Sequence, residues 1–478
     1  MTEKKFYITT PIFYPNAKLH MGHAYTTTVT DILARYHRLM GNPTYFLTGS
    51  DENTQKMVDA ARKVGKEPLV FLDEIVINFA DVYSRLNISY DQFIRTTDQK
   101  VHWPGAQALW AKLVEAGDIY KKEYEGLYCV GHEAFVTEKD LVDGRCPDHG
   151  TVPEFLQEEN YFFRLSKYTD TITSMIESDE LRIVPETRKH EILSFLERGL
   201  EDVSFSRPRK ADWPSTLGIS VPGDDSQVMY VWCDALVNYI TAVGYGRDEE
   251  HFKACWPADV HVIGKDILRF HAAIWPGMLL SAGLPLPKSI LVHGFITSGG
   301  KKMSKTLGNV IDPQELLSLY GTDAVRYYLA RHTSPFDDGD ITLEGFKEAY
   351  NGNLANGIGN LAARILTLAQ SHLQEGTRPE PESFPHVYME ALERFEINRA
   401  ADYVWERITL LDQKITDTEP FKVIKTNPEV GKELIMALTQ ELYGVARMLQ
   451  PFLPQTSEKI KQAIVANKKP ENLFPRKD

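Results

Sequence analysis

The sequence predicts an α/β protein: a Rossmann-type parallel sheet, split in two by an insertion and followed by an all-α helical bundle. Three observations carry that expectation. Strand and helix patterns alternate over 1–117 and resume over 229–295. Between them, 118–228 breaks the rhythm with a compact Cys/His cluster, short strand-like pieces and proline-rich backbone. Beyond a linking segment with a lysine-rich loop, 296–350, long helical patterns without strands fill 351–478.

Taken in order, Lys5 to Thr10 alternates apolar and polar residues as a strand does, and Pro11 to Asn16 is expected to be irregular. From His23 to Met40, Val29, Ile32, Leu33, Tyr36 and Met40 recur at helical spacing, with Gly41 as the stop. Thr44 to Gly49 reads as a second strand, with Asp51 just past its carboxyl end. Two helical patterns follow, then a strand near Gln92 to Arg95. After the insertion, Val260 to Asp266 is a strand delivering polar groups into a helix, and Ser289 to Ile296 leads to the lysine loop. Ile358, Leu361, Ile365 and Leu368 make the first apolar stripe of the bundle. Phe395 to Ile415 and Leu434 to Leu449 make the next two.

Composition narrows the function classes. A chain of 478 residues exceeds one core, and 43% hydrophobic with 25% charged residues is ordinary for a soluble globular protein. No apolar run approaches the roughly 18 residues that cross a bilayer, so no membrane partner is expected. The start, Met1 to Tyr7, enters a strand pattern without a signal core or transit segment, and a cytoplasmic protein is expected. A net charge of −13 excludes coating of nucleic acid by a bulk positive field and leaves only a local basic face for such contacts. Four cysteines are too few for a disulfide scaffold.

Two motifs point to nucleotide chemistry. His20-Met21-Gly22-His23 sits at a helix start, where unpaired N–H groups and a partial positive charge favour an anion. Gly22 allows close approach there, and His20 and His23 can donate hydrogen bonds to a phosphate. Lys302-Met303-Ser304-Lys305-Thr306 follows Gly299-Gly300, a sequence suited to a movable loop whose two ammonium groups could clamp a leaving pyrophosphate. Gly299 to Thr306 also lies one residue away from a phosphate-cradling P-loop, but Ser304 replaces its second glycine. A third motif, Cys129-x-x-His132 and Cys146-x-x-His149, has the spacing of a tetrahedral zinc site. All four of its positions are filled by protein, so the metal would be structural. Cys233 and Cys255 lack such partners and are expected to be buried thiols.

With those motifs in place, the chain resembles the methionyl-tRNA synthetases of the single-zinc-knuckle bacterial kind. The likeness runs nearly end to end. It includes Thr-Thr-Pro-Ile-Phe-Tyr-Pro-Asn, Leu-Thr-Gly-Ser-Asp-Glu, Val-Trp-Cys-Asp-Ala-Leu, Ile-Gly-Lys-Asp-Ile-Leu-Arg-Phe-His and Lys-Met-Ser-Lys-Thr-Leu-Gly-Asn. The resemblance implies ATP-dependent attachment of methionine to its tRNA, initiator and elongator alike, through a methionyl-adenylate. It implies catalytic roles for His20, His23, Lys302 and Lys305, with Gly22 and Ser304 also on the ATP. Asp51 is implied to hold the amino acid's ammonium group. Ile12, Tyr14, Trp232, Ala235, Tyr239, Ile267 and His271 are implied to line the side-chain pocket. Aromatic edges suit a thioether, each contact contributing roughly 0.3–1.5 kcal/mol.

The same resemblance implies a structural zinc, in a knuckle spanning about 126–152, and magnesium accompanying the ATP. His132 stands where relatives with one zinc usually have cysteine, and Thr306 where many have serine. Asn360 and Arg364, four apart on one helical face, match the anticodon-reading helix. Phe421 stands where a base-stacking tryptophan is usual. Many relatives continue into a dimerising domain, whereas this chain ends after the helical pattern, so a monomer is expected. Two alternatives stay open at this point. One is a small-molecule nucleotidyltransferase, and the other is a catalytically silent tRNA-binding relative.

Overall fold

Six short strands rich in β-branched and aromatic residues pair into one parallel sheet. They are Phe6–Phe13 (β1), Thr44–Ser50 (β2), Gln92–Arg95 (β3), Arg182–Val184 (β4), Val260–Gly264 (β5) and Ser289–His293 (β6). The computed structural model describes residues 5–129, 134–147, 150–210, 213–214, 216–303, 309–377 and 379–477. The strand order is β3-β2-β1-β5-β6-β4, and every neighbouring pair is parallel. From β1 the chain winds outward through β2 to β3, and from β5 outward to β6, while β4, earlier in the chain, closes the far edge. The crevice beyond the carboxyl ends of β1 and β5 is therefore the switch point, where such sheets bind ligands.

Two departures from expectation have physical reasons. β1 runs on through Pro11 to Phe13, although that stretch was expected to be irregular. Its pairing with β2 shifts register between Thr9 and Ile12. A bulge of this kind is where a proline, which cannot donate to the ladder, is tolerated inside a sheet. β4 lies within the expected insertion yet pairs with β6 at the sheet's edge. The rest of the insertion carries a four-stranded antiparallel sheet built mainly on Ile119–Cys129 and Glu154–Phe163.

The helix Met21–Leu39 (α1) follows β1 and buries Val29, Ile32, Leu33 and Tyr36. One apolar cluster extends from Phe6, Val29 and Tyr36 through Val325 and Leu329 to Ile365, Val404, Leu442 and Ile460, so the sheet and the helical bundle share a continuous core. A buried ion pair rivets that junction. Arg326 is fully buried and contacts Asp31 of α1 at 2.8 Å. It also donates to the carbonyls of Leu86, Pro451 and Phe452 at 3.1, 2.8 and 2.9 Å. Burial pushes the Asp31 carboxyl up, but Arg326, Arg35 and Ser89 outweigh it and hold the group below its usual range. Among the described residues no helix is long and apolar enough to cross a membrane.

Candidate active site

The start of α1 is built by its two histidines. His20 is the N-cap, in extended backbone, and its Nδ1 accepts from the Gly22 N–H at 3.0 Å. In return the His20 N–H donates to Nδ1 of His23 at 3.2 Å. This is a capping box made with imidazoles. Both Nδ1 atoms are occupied as acceptors, so in the neutral His23 ring the proton sits on Nε2. The rings stack at 3.8 Å, and the edge of Phe13 meets His23 at 4.7 Å. Burial, reinforced by His20, holds the His23 imidazole well below its usual range, so it acts as a neutral donor. A Cβ on Gly22 would come within 2.9 Å of the His20 ring, so a larger residue there would have to displace that imidazole.

Asp51 lies just past β2 and is buried, its N–H donating to the Phe13 carbonyl at 3.0 Å. Across the switch point stands the helix Val231–Thr241 (α2), which presents Trp232, Ala235 and Tyr239. The Tyr239 hydroxyl lies 2.7 Å from Nε2 of His271, and Nδ1 of His271 lies 3.0 Å from the Ile267 carbonyl. A carbonyl only accepts, so Nδ1 carries the proton and Nε2 accepts from Tyr239. Trp232 stacks on Phe270 at 3.7 Å and meets the His271 ring nearly at right angles. Burial pushes the Tyr239 phenol well up, an interaction with Asn238 partly offsets this, and the Asp51 charge adds to it. Asp51, Trp232, Tyr239, Ile267 and His271 thus converge, while Ile12 and Tyr14 pack against the same apolar cluster from β1 and the residue after it. His271 sits in a π-helical turn, Phe270–Ile274, a geometry frequent at functional sites.

Three buried imidazoles and the half-buried His23 make stability depend on pH. Desolvation pushes His271 down to about 4, His23 and His261 well down, and His293 down as well. An unfolded chain takes up these protons near the ordinary value of 6.5, so it binds more protons than the folded chain below that pH. The stabilisation is present above about 6.5 and lost as pH falls toward about 4. The melting temperature is expected to be flat from pH 7 to 8 and to fall steadily below about 6.5. Thermal melts showing no change down to pH 4.5 would contradict this.

The lysine loop springs from a hairpin beside α1. Nε2 of His293, at the end of β6, lies 2.8 Å from the Thr26 hydroxyl of α1. Three residues on, Ile296–Ser298 pairs with Lys301–Lys302. The joining Gly299 and Gly300 have φ of 62° and 71°, the two-residue turn that needs glycine. That hairpin removes the P-loop alternative, because a phosphate-cradling loop would lead from a strand into a helix. Asp340 accepts from the Thr297 hydroxyl at 2.7 Å and the Gly300 N–H at 2.8 Å, and Asp338 holds Lys265 at 2.7 Å. Ser304, Lys305 and Thr306, and the side chain of Lys302, lie outside the described residues.

Elsewhere, Cys129 and Cys146 are buried and in no disulfide, while His132 and His149 lie outside the described residues. Among the described residues no metal-ligating group of three is present. Cys233 is buried as expected, whereas Cys255 is only half-buried, with its sulfur 3.8 Å from His251. In the bundle, Asn360 is exposed at the start of Asn360–His372, Arg364 pairs with Asp412, and Phe421 is 40% exposed in the first turn of Pro420–Thr426. Sequence reasoning missed Asn53, His102, Asp234, Asp338 and Asp340. The acidic run Asp337-Asp338-Gly339-Asp340 was the one visible hint.

A parallel nucleotide sheet with a histidine-capped helix at its switch point and a lysine hairpin beside it defines a class I aminoacyl-tRNA synthetase. Residues 6–152 and 139–366 match the family described as tRNA synthetases class I (M). The methionine–tRNA ligase of Caldanaerobacter subterraneus subsp. tengcongensis is 43% identical, over 96% of this chain and 73% of its own length. That of Brucella suis is 41% identical, over 96% of this chain and 92% of its own. The Mycobacterium tuberculosis methionyl-tRNA synthetase in complex with methionyl-adenylate superposes with a TM-score of 0.91 at 35% identity, covering 99% of this chain and 100% of that one. The chain belongs to the methionyl-tRNA synthetase family.

Proposed function

We propose that this protein activates methionine with ATP and transfers it to methionine tRNAs. One observation carries the reading: Phe13 links both halves of the site, its ring on His23 and its carbonyl on the Asp51 N–H. An amino acid held at Asp51 would thereby lie beside the histidine pair at the start of α1. The methionine carboxylate attacks the α-phosphate of ATP, giving methionyl-adenylate and pyrophosphate. A ribose hydroxyl of the tRNA's terminal adenosine then takes the methionyl group. His20 and His23 stabilise the charge that builds on the α-phosphate, and Lys302, Ser304 and Lys305 attend the departing pyrophosphate. Asp51 binds the ammonium group. Trp232, Ala235, Tyr239, Ile267 and His271, with Ile12 and Tyr14, shape the thioether pocket. Because His271 is neutral and its Nε2 accepts from Tyr239, that end of the pocket offers no charge to attract a polar rival.

Magnesium would accompany the ATP. A structural zinc would be held by Cys129, His132, Cys146 and His149. The two buried thiols fit a closed nitrogen–sulfur set, whose role is to hold the insertion together. Asn360, Arg364 and Phe421 would read unstacked anticodon bases. The test is isotope exchange between pyrophosphate and ATP. Exchange that requires methionine, followed by charging of methionine tRNA, is expected. Exchange with another acceptor would revive the nucleotidyltransferase alternative, and none at all would revive the silent relative.

A further inference from the structure

Behind the amino-acid site lies a fully buried polar network that the reaction itself does not call for. Asp234, in the first turn of α2, accepts from Nδ2 of Asn53 at 2.8 Å and from Nε2 of His102 at 2.6 Å. The same Asn53 amide donates to the Thr96 carbonyl at 2.8 Å, and its Oδ1 accepts from the Gly218 N–H at 3.0 Å. His102, at the cap of the helix Trp103–Glu115, reaches the Thr241 hydroxyl of α2 with Nδ1 at 2.8 Å. Asp234, Asn53, His102, Thr96 and Thr241 are each at most 3% exposed.

This network ties together two pieces of chain that regular structure does not join. Residues 51–54 are irregular backbone after β2 and carry Asp51. α2 carries Trp232, Ala235 and Tyr239. An amino acid gripped by its ammonium group at one end and its side chain at the other needs both pieces in one fixed register. Both amide protons and the carbonyl of Asn53 are used, so its orientation cannot be reversed without setting oxygen against oxygen. A buried carboxylate is a costly way to fill space, and an apolar side chain of like size would cost less.

We propose that Asp234 is a positioning residue for amino-acid recognition, holding Asn53 and His102 so that Asp51 and α2 keep their spacing. This rests on the methionine pocket assigned above. Asparagine at 234 can keep both contacts. Its oxygen accepts from Asn53, and its amide donates to Nε2 of His102 once that ring carries its proton on Nδ1, toward Thr241. Alanine keeps neither.

The experiment measures KM for methionine and for ATP by pyrophosphate exchange, with melting temperature in parallel. Asp234→Ala is expected to raise the methionine KM about tenfold or more and leave the ATP KM within about twofold, while Asp234→Asn stays within about threefold on both. Should Asp234→Ala fail to fold, Asn53→Ala reads the same contact from the other side and is expected to shift the methionine KM alike. A methionine KM unchanged in both variants, or both KM values rising together with falling melting temperature, overturns the proposal. Asp51→Asn separates the levels. If it too leaves the methionine KM unchanged, the pocket assignment fails; if it raises that KM while Asp234→Ala does not, the positioning role alone fails.

Discussion

His23→Ala is expected to lower methionine-dependent pyrophosphate exchange by about 100-fold to 1000-fold, with the methionine KM nearly unchanged. The reason lies in how its ring is held. Nδ1 is committed to the His20 N–H, the ring is stacked on His20 and edged by Phe13, and burial keeps it neutral. The Nε2–H is thus a donor fixed before substrate arrives, and its benefit appears as charge gathers on the α-phosphate. Removing it also unmakes half of the capping box, which costs about 1 kcal/mol of helix stability. That structural loss is far smaller than the expected kinetic one. Exchange within threefold of the parent would contradict the assigned role.

Arg326→Ala is expected to destabilise the fold by about 3–5 kcal/mol, read as a fall in the urea midpoint. The change leaves Asp31 buried beside Arg35 and Ser89 without its principal cation, and it strips three carbonyls of their donor. Those carbonyls belong to the turn after the helix Pro68–Arg85 and to the turn before Pro454–Ala466, so the loss falls where the sheet meets the bundle. Arg326→Lys is expected to rescue little, because one ammonium cannot serve three carbonyls and a carboxylate in the planar fork geometry of a guanidinium. An unchanged urea midpoint would show that the rivet is dispensable.

Much of this architecture is legible because it is local. The repeat of Val29, Ile32, Leu33 and Tyr36 marks α1, and the spacing of His20 and His23 places both imidazoles at its cap. Other parts are not local and leave no signature. β4 is three residues long, too short for any period to register. Pro11 reads as a breaker until the register shift that accommodates it is seen. The π-helical turn around His271 has no residue code. Asp234 and His102 lie 132 residues apart and Lys265 and Asp338 lie 73 apart, so nothing in either neighbourhood announces the partner. Asp51, Trp232 and His271 were reachable through likeness to known sequences. The network holding them in register was not, because it consists of contacts rather than motifs.

The central claim is that one nucleotide spans the switch point, with its α-phosphate at the two histidines and its outer phosphates under the lysine hairpin. A crystal structure with methionine and a non-hydrolysable ATP analogue tests it most directly. The α-phosphate is expected within hydrogen-bonding reach of Nε2 of His20 or His23, beyond the carboxyl ends of β1 and β5, with methionine between Asp51 and α2. Triphosphate bound away from the start of α1, with both imidazoles facing solvent, would contradict the account.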